Sequence, residues 1–253
     1  MKTTEVKKYT LFENKKILKL EILKNQGVCN TLYKLQTPKE NYIIRVFKYI
    51  HSDNQSRKNE IKIQNKAYKK DIAAKVHIHD VNKSLMICDF IKGKHKNKLK
   101  TKDIKSLVQS LKKLHDIKIK EKVYKIENDF NNYKKFLKDK ESKQIIKSSL
   151  KEFSKIKKYK FEKVLCHHDL NKHNILFNKN KAIFIDWEFA CVNDKFFDLA
   201  TICIEFNLNK SRENILLKKY LKKVKKSDTK KLASYKIIYK NLSILWFKSL
   251  KKQ

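Results

Sequence analysis

The residues best suited to chemistry lie close together in the second half of the chain. Asp169 stands two residues after His167 and five residues before Asn174, and Asp186 follows twelve residues after Asn174. A carboxylate on a loop can accept the proton of a hydroxyl group or orient that hydroxyl. Amide and carboxylate oxygens are ligands that Mg²⁺ prefers, and such ions bridge the phosphates of a nucleotide. The spacing therefore predicts that Asn174 and Asp186 hold Mg²⁺ while Asp169 faces an acceptor hydroxyl.

A short β-hairpin is predicted to position these side chains. The apolar segments Ile175–Phe177 and Ala182–Ile185 flank the sequence Asn-Lys-Asn at 178–180, where an asparagine can take the positive φ of a tight turn. Because the second strand runs antiparallel to the first, Asn174 and Asp186 are expected at the same end of the hairpin. The alternative is that these Asp and Asn residues are only turn and cap residues, where both types are common.

The other elements divide the chain into two parts. Residues 1–90 read as a small antiparallel sheet with one surface helix, and residues 91–253 read as a larger, mainly helical part. The hinge between the two parts is placed near Asp89–Lys94. The expected fold class is therefore α+β. The predicted strands outside the hairpin are Ile17–Leu23, Thr31–Gln36, Tyr42–Phe47, Val76–His79, Leu85–Phe90 and Val164–Cys166.

Apolar residues spaced three and four apart predict the helices. The clearest stripe runs from Ile104 to Leu114, with a cap at Thr101 or Asp103. The inner face of the helix in the first part is assigned to Ile61, Gln64 and Tyr68. The other predicted helices are Gln55–Lys70, Phe130–Leu137, Ile145–Ile156, Phe196–Phe206, Arg212–Val224 and Thr229–Ser249.

Lysine dominates the charge of the chain. The 63 Lys and Arg residues against 26 Asp and Glu give a formal net charge of +37, and only Arg45, Arg57 and Arg212 are arginines. A basic chain can bind nucleic acid by releasing counterions from phosphates, so a nucleic-acid-binding protein is the alternative from a different functional class. Base recognition relies on arginine, however, and the lysines are spread along the whole chain in the way that AT-rich codons impose. We therefore expect no specific nucleic-acid partner.

The cysteines and the apolar runs indicate a cytoplasmic protein. Five cysteines without a C-x-x-C pair suggest neither a disulfide framework nor a zinc site, and free thiols fit a reducing compartment. The N-terminal segment lacks the apolar stretch of a secretory signal. No apolar run approaches the roughly 20 residues that cross a bilayer, so no membrane insertion is expected.

The motif around Asp169 resembles the catalytic core of a known superfamily. The segments CHHDLNKHNILF and AIFIDWEFACVNDKFFDLA are similar to the core of the aminoglycoside phosphotransferases and choline kinases, whose fold is that of protein kinases. The bacterial choline/ethanolamine kinase branch is the closer match. The matching positions are His167, Asp169, Asn174, Asp186, Glu188, Phe189, Asn193, Asp194, Asp198, Glu205 and Asn207.

The resemblance extends into the first part of the chain. Gly27–Thr31 is similar to the nucleotide loop of the family, and Tyr42–Val46 resembles a strand in which Arg45 replaces the β3 lysine of protein kinases. The sequence Arg-Lys-Asn-Glu ending at Glu60 matches the start of the helix that follows. The resemblance therefore implies a bilobal protein-kinase-like fold, with a nucleotide-binding lobe at 1–90 and a catalytic and substrate-binding lobe at 91–253.

The family pattern also implies a role for each matched residue. Asp169 is the base or orienter of the acceptor hydroxyl, His167 braces its loop, and Asn171 is the polar residue that follows the base. Asn174 and Asp186 hold Mg²⁺, and Asp198 supports the loop. The nucleotide site comprises Gly27, Asn30, Thr31, Arg45, Glu60 and Phe90. The substrate site comprises Glu205 near the substrate ammonium, with Trp187, Glu188 and Trp246, the tryptophans as candidates for an aromatic wall.

The resemblance implies an ATP-dependent kinase that phosphorylates the hydroxyl of choline or ethanolamine, with phosphocholine and ADP as the products from choline. A thiamine kinase or an aminoglycoside phosphotransferase is the closer alternative, and a basic nucleic-acid-binding protein with a vestigial kinase core is the distant one. Four residues also have plain structural alternatives. Arg45 could be an exposed strand residue, Glu205 could pair with a lysine, and Trp187 and Trp246 could belong to the core.

Overall fold

The computed structural model describes residues 1–24, 30–48 and 54–250, with side chains from residue 57 onward in the helix that begins at Asn54. The predicted nucleotide-loop residues Gly27 to Cys29 lie outside these ranges. The chain divides into two compact units, Met1–Gly93 and Lys94–Gln253. Among the described residues, no helix combines the length and the apolarity that a transmembrane span requires.

The first unit is a five-stranded antiparallel sheet with two helices. Its strands, in the spatial order β1-β2-β3-β5-β4, are β1 (Lys19–Ile22), β2 (Asn30–Gln36), β3 (Asn41–Phe47), β4 (Val76–Asp80) and β5 (Leu85–Asp89). The helices are α1 (Thr3–Val6), which the sequence did not predict, and α2 (Asn54–Tyr68). All five predicted strands of this part of the chain are confirmed, with each end within two residues of its predicted position.

The two faces of strand β3 differ, because one is apolar and the other carries a charged residue. Tyr42 and Ile44 are 1% and 0% exposed and pack with Phe12 and Leu35 in one core cluster. Because successive strand residues point to opposite faces, Arg45 lies on the face opposite to Ile44. Arg45 is nevertheless 6% exposed, so the alternative of an exposed strand residue is wrong.

The buried face of α2 differs from the predicted one. Ile61 is half-buried and Tyr68 is 41% exposed, whereas Gln64 is buried as expected. The inner face instead carries two charged residues at its start, Arg57 and Glu60. A search for apolar spacing misplaces such a face because a buried ion pair is polar in sequence. The full set of buried positions described on α2 is Arg57, Glu60, Ile63, Gln64 and Ala67.

Two small antiparallel pairs form the β-structure described in the second unit. Strand β6 (Lys163–Cys166) pairs with β9 (Cys191–Asp194), and β7 (Ile175–Asn178) pairs with β8 (Lys181–Phe184) as the predicted hairpin. The turn of that hairpin has its positive φ at Lys179, with φ 50°, and not at an asparagine as predicted. Strand β9 was not predicted, because its polar end reads as a loop and its partner lies in a distant part of the sequence.

Helices make up most of the second unit. They are α3 (Thr101–His115), α4 (Ile126–Phe136), α5 (Lys140–Ile156), α6 (Phe196–Glu205), α7 (Lys210–Leu221) and α8 (Lys226–Leu250). The stripe predicted on α3 is buried, and Asp103 closes its start by accepting a hydrogen bond from the N–H of Lys100 at 2.9 Å. The N-cap is therefore Lys100 and neither predicted residue, since Thr101 is the first helical residue and Asp103 is the third. Helix α6 is buried along most of its length and packs against α8.

Candidate active site

The loop between β6 and β7, residues 167–174, carries the side chains with catalytic potential. Both Nδ2 of Asn171 and Nδ2 of Asn174 donate to the carboxylate of Asp169, at 3.0 and 3.1 Å from Asn171 and 2.7 Å from Asn174. The amide oxygen of Asn171 in turn accepts from the N–H groups of His173 and Asn174 at 2.8 and 3.1 Å. The loop is therefore folded around Asp169, and its two asparagines hold the carboxylate in one orientation.

The carboxyl group of Asp169 has the electrostatics of a proton acceptor. Burial raises the pKa of Asp169 above its ordinary value, and the negative charge of Asp186 adds to that increase, although His167 and the two asparagine hydrogen bonds oppose it. A carboxylate with a raised pKa is a better base than a fully solvated one. Asp169 is half-buried and so remains accessible to a reacting group.

Asn174 and Asp186 lie at the open end of the β7–β8 hairpin, as the sequence predicts. The N–H of Ile185 donates to the carbonyl oxygen of Asn174 at 3.0 Å, which joins the residue before β7 to the residue before Asp186. Asp186 has φ 66°, a left-handed conformation that ends the strand abruptly. Its charge acts on both Asp169 and His167, so the three groups share one electrostatic environment.

The donor set at this end of the hairpin fits a magnesium ion. Since Nδ2 of Asn174 is engaged by Asp169, the amide oxygen Oδ1 is the atom left to face a cation. Among the described residues, none donates a hydrogen bond to that oxygen. Together with the carboxylate of Asp186 it provides hard oxygen ligands, which Mg²⁺ prefers.

His167 joins the 167–174 loop to the hairpin. Its ring is fully buried, and its Nε2–H donates to the carbonyl oxygen of Ile185 at 3.1 Å. Burial lowers the pKa of His167, so the ring is neutral and carries its proton on Nε2. The indole of Trp187 packs on this ring with centroids 4.7 Å apart.

The position of Trp187 corrects one expectation about the substrate site. Its side chain is 1% exposed, and its Nε1–H donates to the carbonyl oxygen of Phe184 at 3.2 Å. A ring that is covered by His167 and the hairpin has no open face for a ligand cation. Trp187 therefore supports His167 and does not form an aromatic wall.

Asp198, near the start of α6, holds the backbone just before Asp169. This carboxylate is 0% exposed and accepts from the N–H of His167 at 2.9 Å and of His168 at 3.0 Å. Burial opposes its ionisation, but the hydrogen bond from His115 and the contacts with His167 outweigh burial and lower the pKa of Asp198. The second of the residues it holds, His168, has φ 69°, which costs a non-glycine residue on the order of 1 kcal/mol or more.

Glu205 lies at the end of α6 and is held by a residue that the sequence did not single out. The hydroxyl of Tyr239 on α8 donates to Oε1 of Glu205 at 2.9 Å. Burial first, and then the negative charges of Glu205 and Asp169, raise the pKa of Tyr239. Within the described ranges, no lysine or arginine forms an ion pair with Glu205, so the structural alternative of a salt bridge is not found.

A series of aromatic rings runs beside this loop. The ring of His168 stacks on Phe197 at 3.8 Å, and Phe197 meets the edge of Tyr239 at 6.0 Å. The ring of His168 also makes an edge contact with Tyr124 at 4.8 Å, and the Tyr124 hydroxyl donates to Asp129. Burial lowers the pKa of His168 to about 4, so this ring is a neutral part of the series.

The remaining predicted substrate residues are less tied to Asp169. Glu188 is half-buried next to Trp187. Trp246 is half-buried on α8, and its ring meets the edge of the Phe247 ring at 4.9 Å. The structure thus brings Asp169, Asn171, Asn174, Asp186, His167 and Asp198 together, while the ring contact described for Trp246 is with its own helix.

In the first unit the predicted nucleotide residues centre on Glu60. Nη1 of Arg45 lies 2.5 Å from one oxygen of this carboxylate, and Nη1 of Arg57 lies 2.6 Å from the other. The Arg57 guanidinium also stacks on Phe47 at 4.1 Å. Two of the three arginines in this lysine-rich chain therefore share one buried acid.

The other nucleotide residues are placed as follows. Asn30 is buried at the start of β2, and Thr31 is half-buried opposite Val46 of β3. Phe90 follows β5 and is half-buried, with its N–H donating to the carbonyl oxygen of Asn41 at 2.9 Å and Lys34 above its ring at 4.7 Å.

Three aromatic residues of the second unit were missed by sequence analysis. Tyr239 and Tyr124 contribute to the ring series, and Tyr220 contacts His115 on α3. Tyr239 stands seven residues before Trp246 and so shares a helix face with it, but that spacing is equally typical of a core position. No local signal separates these tyrosines from the eight others in the chain.

Comparison with solved structures identifies the class of fold. Choline kinase LicA from Streptococcus pneumoniae superposes with a TM-score of 0.81 at 17% identity, covering 99% of this chain and 91% of that one. A choline/ethanolamine kinase family protein from Mesorhizobium loti gives a TM-score of 0.79 at 19% identity, with 97% and 85% covered. Spectinomycin phosphotransferase gives 0.67 at 15% identity, with 91% and 82% covered. The chain therefore has the predicted α+β, protein-kinase-like fold of these phosphotransferases.

Sequence comparison identifies the family. The model of the family "Choline/ethanolamine kinase" matches residues 21–242, which is most of the chain. This protein belongs to the choline/ethanolamine kinase family, as the motifs predicted. Protein LicA of Haemophilus influenzae is 28% identical over 159 residues, which are 57% of this chain and 58% of that protein. A LicA homolog of Metamycoplasma hominis is 29% identical over 231 residues, which are 90% of this chain and 88% of that protein.

Proposed function

We propose that this protein transfers the γ-phosphoryl group of ATP to the hydroxyl group of choline, forming phosphocholine and ADP. The observation that carries the proposal is the convergence of Asp169, Asn174 and Asp186 on one loop and one hairpin end. Membership of the choline/ethanolamine kinase family supports the same reaction class. The protein named choline kinase LicA, with which this chain shares its fold, supports choline as the acceptor.

Asp169 acts on the acceptor in this mechanism. The acceptor oxygen attacks the γ-phosphorus, the bond from that phosphorus to the β–γ bridging oxygen breaks, and Asp169 receives the hydroxyl proton. The raised pKa of Asp169 favours that proton transfer, and the amides of Asn171 and Asn174 keep the carboxylate aimed while its charge changes. Catalysis then rests mainly on positioning and on charge stabilisation.

The oxygen and nitrogen atoms of the predicted site residues indicate which of them would hold the metal and which would bind the nucleotide. Asn174 Oδ1 and Asp186 would hold Mg²⁺, which when bound supplies positive charge to the phosphates. Arg45, oriented by Glu60, would bind the α- and β-phosphates, together with backbone N–H groups of the predicted nucleotide loop that begins at Gly27. Asn30, Thr31 and Phe90 would complete the nucleotide site.

The acceptor's positive charge would be recognised by Glu205 and the ring series. A carboxylate near a quaternary ammonium attracts it directly, and aromatic rings attract it through their electron-rich faces. Tyr239 connects the carboxylate with the ring series, because its hydroxyl orients Glu205 and its own ring belongs to the series. The negative charge of Asp169 also acts on this tyrosine. Glu188 and Trp246 are further members of this proposed site.

The test is ADP release with a panel of acceptors matched in shape and differing in charge. Choline should be phosphorylated with a kcat/KM at least about tenfold above that of 3,3-dimethylbutan-1-ol, which is choline with a neutral carbon in place of nitrogen. Ethanolamine, thiamine and an aminoglycoside complete the panel. ADP release that no acceptor stimulates would contradict the proposal, and equal use of the neutral alcohol would contradict the cation site.

Ethanolamine is the second candidate acceptor. An ethanolamine kinase from Plasmodium vivax shares the fold, with a TM-score of 0.74 at 22% identity. A primary ammonium forms hydrogen bonds with a carboxylate, whereas a quaternary one relies on aromatic faces. The rings beside Glu205 favour choline, and the panel above decides between the two by their kcat/KM values.

A further inference from the structure

A chain of hydrogen bonds links the end of α7 to the 167–174 loop through the last residue of α3. Nε2 of His115, the last residue of α3, lies 3.1 Å from Oδ2 of Asp198. On its other side, Nδ1 of His115 lies 2.6 Å from the hydroxyl of Tyr220, in the last turn of α7. Both ring nitrogens of this buried histidine are therefore engaged, one by an acid and the other by a phenol.

The geometry selects one tautomer of His115. Asp198 can only accept when ionised, so Nε2 must carry a proton to donate to it. In the neutral ring Nδ1 is then an acceptor, and the hydroxyl of Tyr220 donates to it. Without the tyrosine hydroxyl, Nδ1 would lose this hydrogen bond and the ring would be free to turn away from the carboxylate.

The hydrogen-bond chain ends at the two backbone N–H groups that precede Asp169 in the sequence. Asp198 accepts the N–H groups of His167 and His168, and His168 has the left-handed φ of 69°. A non-glycine residue stays in that region only when its surroundings hold it there. A carboxylate fixed by a third donor, Nε2–H of His115, keeps both N–H contacts in register.

We propose that Tyr220 is a positioning residue for phosphoryl transfer, acting through His115 and Asp198 on the strained backbone that aims Asp169. The inference rests on the proposed function for its kinetic consequence. Its structural consequence, that the hydroxyl of Tyr220 keeps the N–H groups of His167 and His168 bound, does not depend on the substrate.

The experiment uses Tyr220→Phe, His115→Gln and the double variant in the full chain. Tyr220→Phe keeps the ring and removes one hydroxyl, so kcat should fall roughly 3- to 10-fold while the KM values for ATP and for the acceptor stay within about twofold. The glutamine amide can donate to Asp198 but has no Nδ1 for the hydroxyl of Tyr220 to hold. Adding Tyr220→Phe to His115→Gln should therefore change kcat by less than about 1.5-fold.

Hydrogen exchange provides a readout that does not depend on activity. The backbone N–H groups of His167 and His168 should exchange about 10-fold faster in Tyr220→Phe than in the wild type, and at the wild-type rate in Tyr235→Phe. Tyr235 is a matched control because it is 2% exposed and, among the described residues, none is hydrogen-bonded to its hydroxyl.

Each result has one meaning. Unchanged exchange of these two N–H groups in Tyr220→Phe would overturn the inference, and so would an equal loss of kcat in the wild-type and His115→Gln backgrounds, which would show that Tyr220 acts by packing alone. If the wild type released no ADP with any acceptor, the proposed function would fail, but the exchange rates would still decide whether Tyr220 holds the loop.

Discussion

At the scale of single residues, Asp169 combines a raised pKa with a fixed orientation. Asp169→Asn should lower kcat by about 10²- to 10⁴-fold, because the amide cannot take the acceptor proton. Steady-state kinetics with ATP and choline checks this. Asn171→Ala is a useful comparison, since it keeps the base and removes one orienting amide, and it should lose less. A turnover of Asp169→Asn close to that of the wild type would remove Asp169 from the reaction.

The Asp169→Asn substitution should also change how the stability of the protein depends on pH. The pKa of Asp169 in the folded state lies above its unfolded value of about 3.9, so the folded state binds the proton more tightly. The contribution of Asp169 to the free energy of unfolding therefore falls as the pH rises through the folded-state pKa. The amide of the Asp169→Asn variant does not titrate. The stability of this variant relative to the wild type should therefore be greater at pH 7 than at pH 4. Urea unfolding at the two pH values measures the difference.

Glu205 should affect the acceptor and not the nucleotide. Glu205→Gln keeps an acceptor for the Tyr239 hydroxyl but removes the negative charge, so KM for choline should rise about 5- to 50-fold while KM for ATP changes less than about twofold. Tyr239→Phe is the matched variant, because it leaves the charge and removes its hydrogen bond. An equal rise in both KM values would exclude Glu205 from the acceptor site.

At the scale of elements, a buried ion pair connects α8 with the β6–β9 pair. Nζ of Lys231 lies 2.6 Å from Asp194 and 2.7 Å from the carbonyl oxygen of Lys160, and Lys231 is only 3% exposed. Removing one partner of such a pair leaves the other charge buried, so Lys231→Met should lower the free energy of unfolding by about 3 kcal/mol. Lys230→Met, at an exposed neighbouring position, should change it by less than about 0.5 kcal/mol in the same urea titration. Similar values for both variants would show that the pair is not stabilising.

Elements with a local signal were predicted, and elements defined by distant partners were not. The β7–β8 hairpin and α3 follow from alternation and from apolar spacing within a few residues. Strand β9 forms only because β6 lies beside it, and the inner face of α2 is charged only because Arg45 of β3 meets Glu60 there. In both cases the deciding interaction is with a residue from another element, which no sequence window contains.

At the scale of the whole molecule, the excess of lysine does not determine the fold. Of the 63 basic residues all but three are lysines, yet the buried pair on Glu60 uses two of the three arginines. Where a lysine is buried, as at Lys231, an acid and a carbonyl oxygen receive it. The net charge of +37 is therefore a property of the surface, where charge is solvated and weakly coupled.

The amino-acid sequence by itself determined the family, the hairpin and the trio Asp169, Asn174 and Asp186, because these depend on residue types at short fixed spacings. Only the tertiary structure decided that Trp187 lies behind His167, that Tyr239 holds Glu205, and that Tyr220 reaches Asp198 through His115. Each of these contacts joins residues that are well separated in the chain, and a buried aromatic residue has the same sequence signature whether it packs in the core or supports an active site.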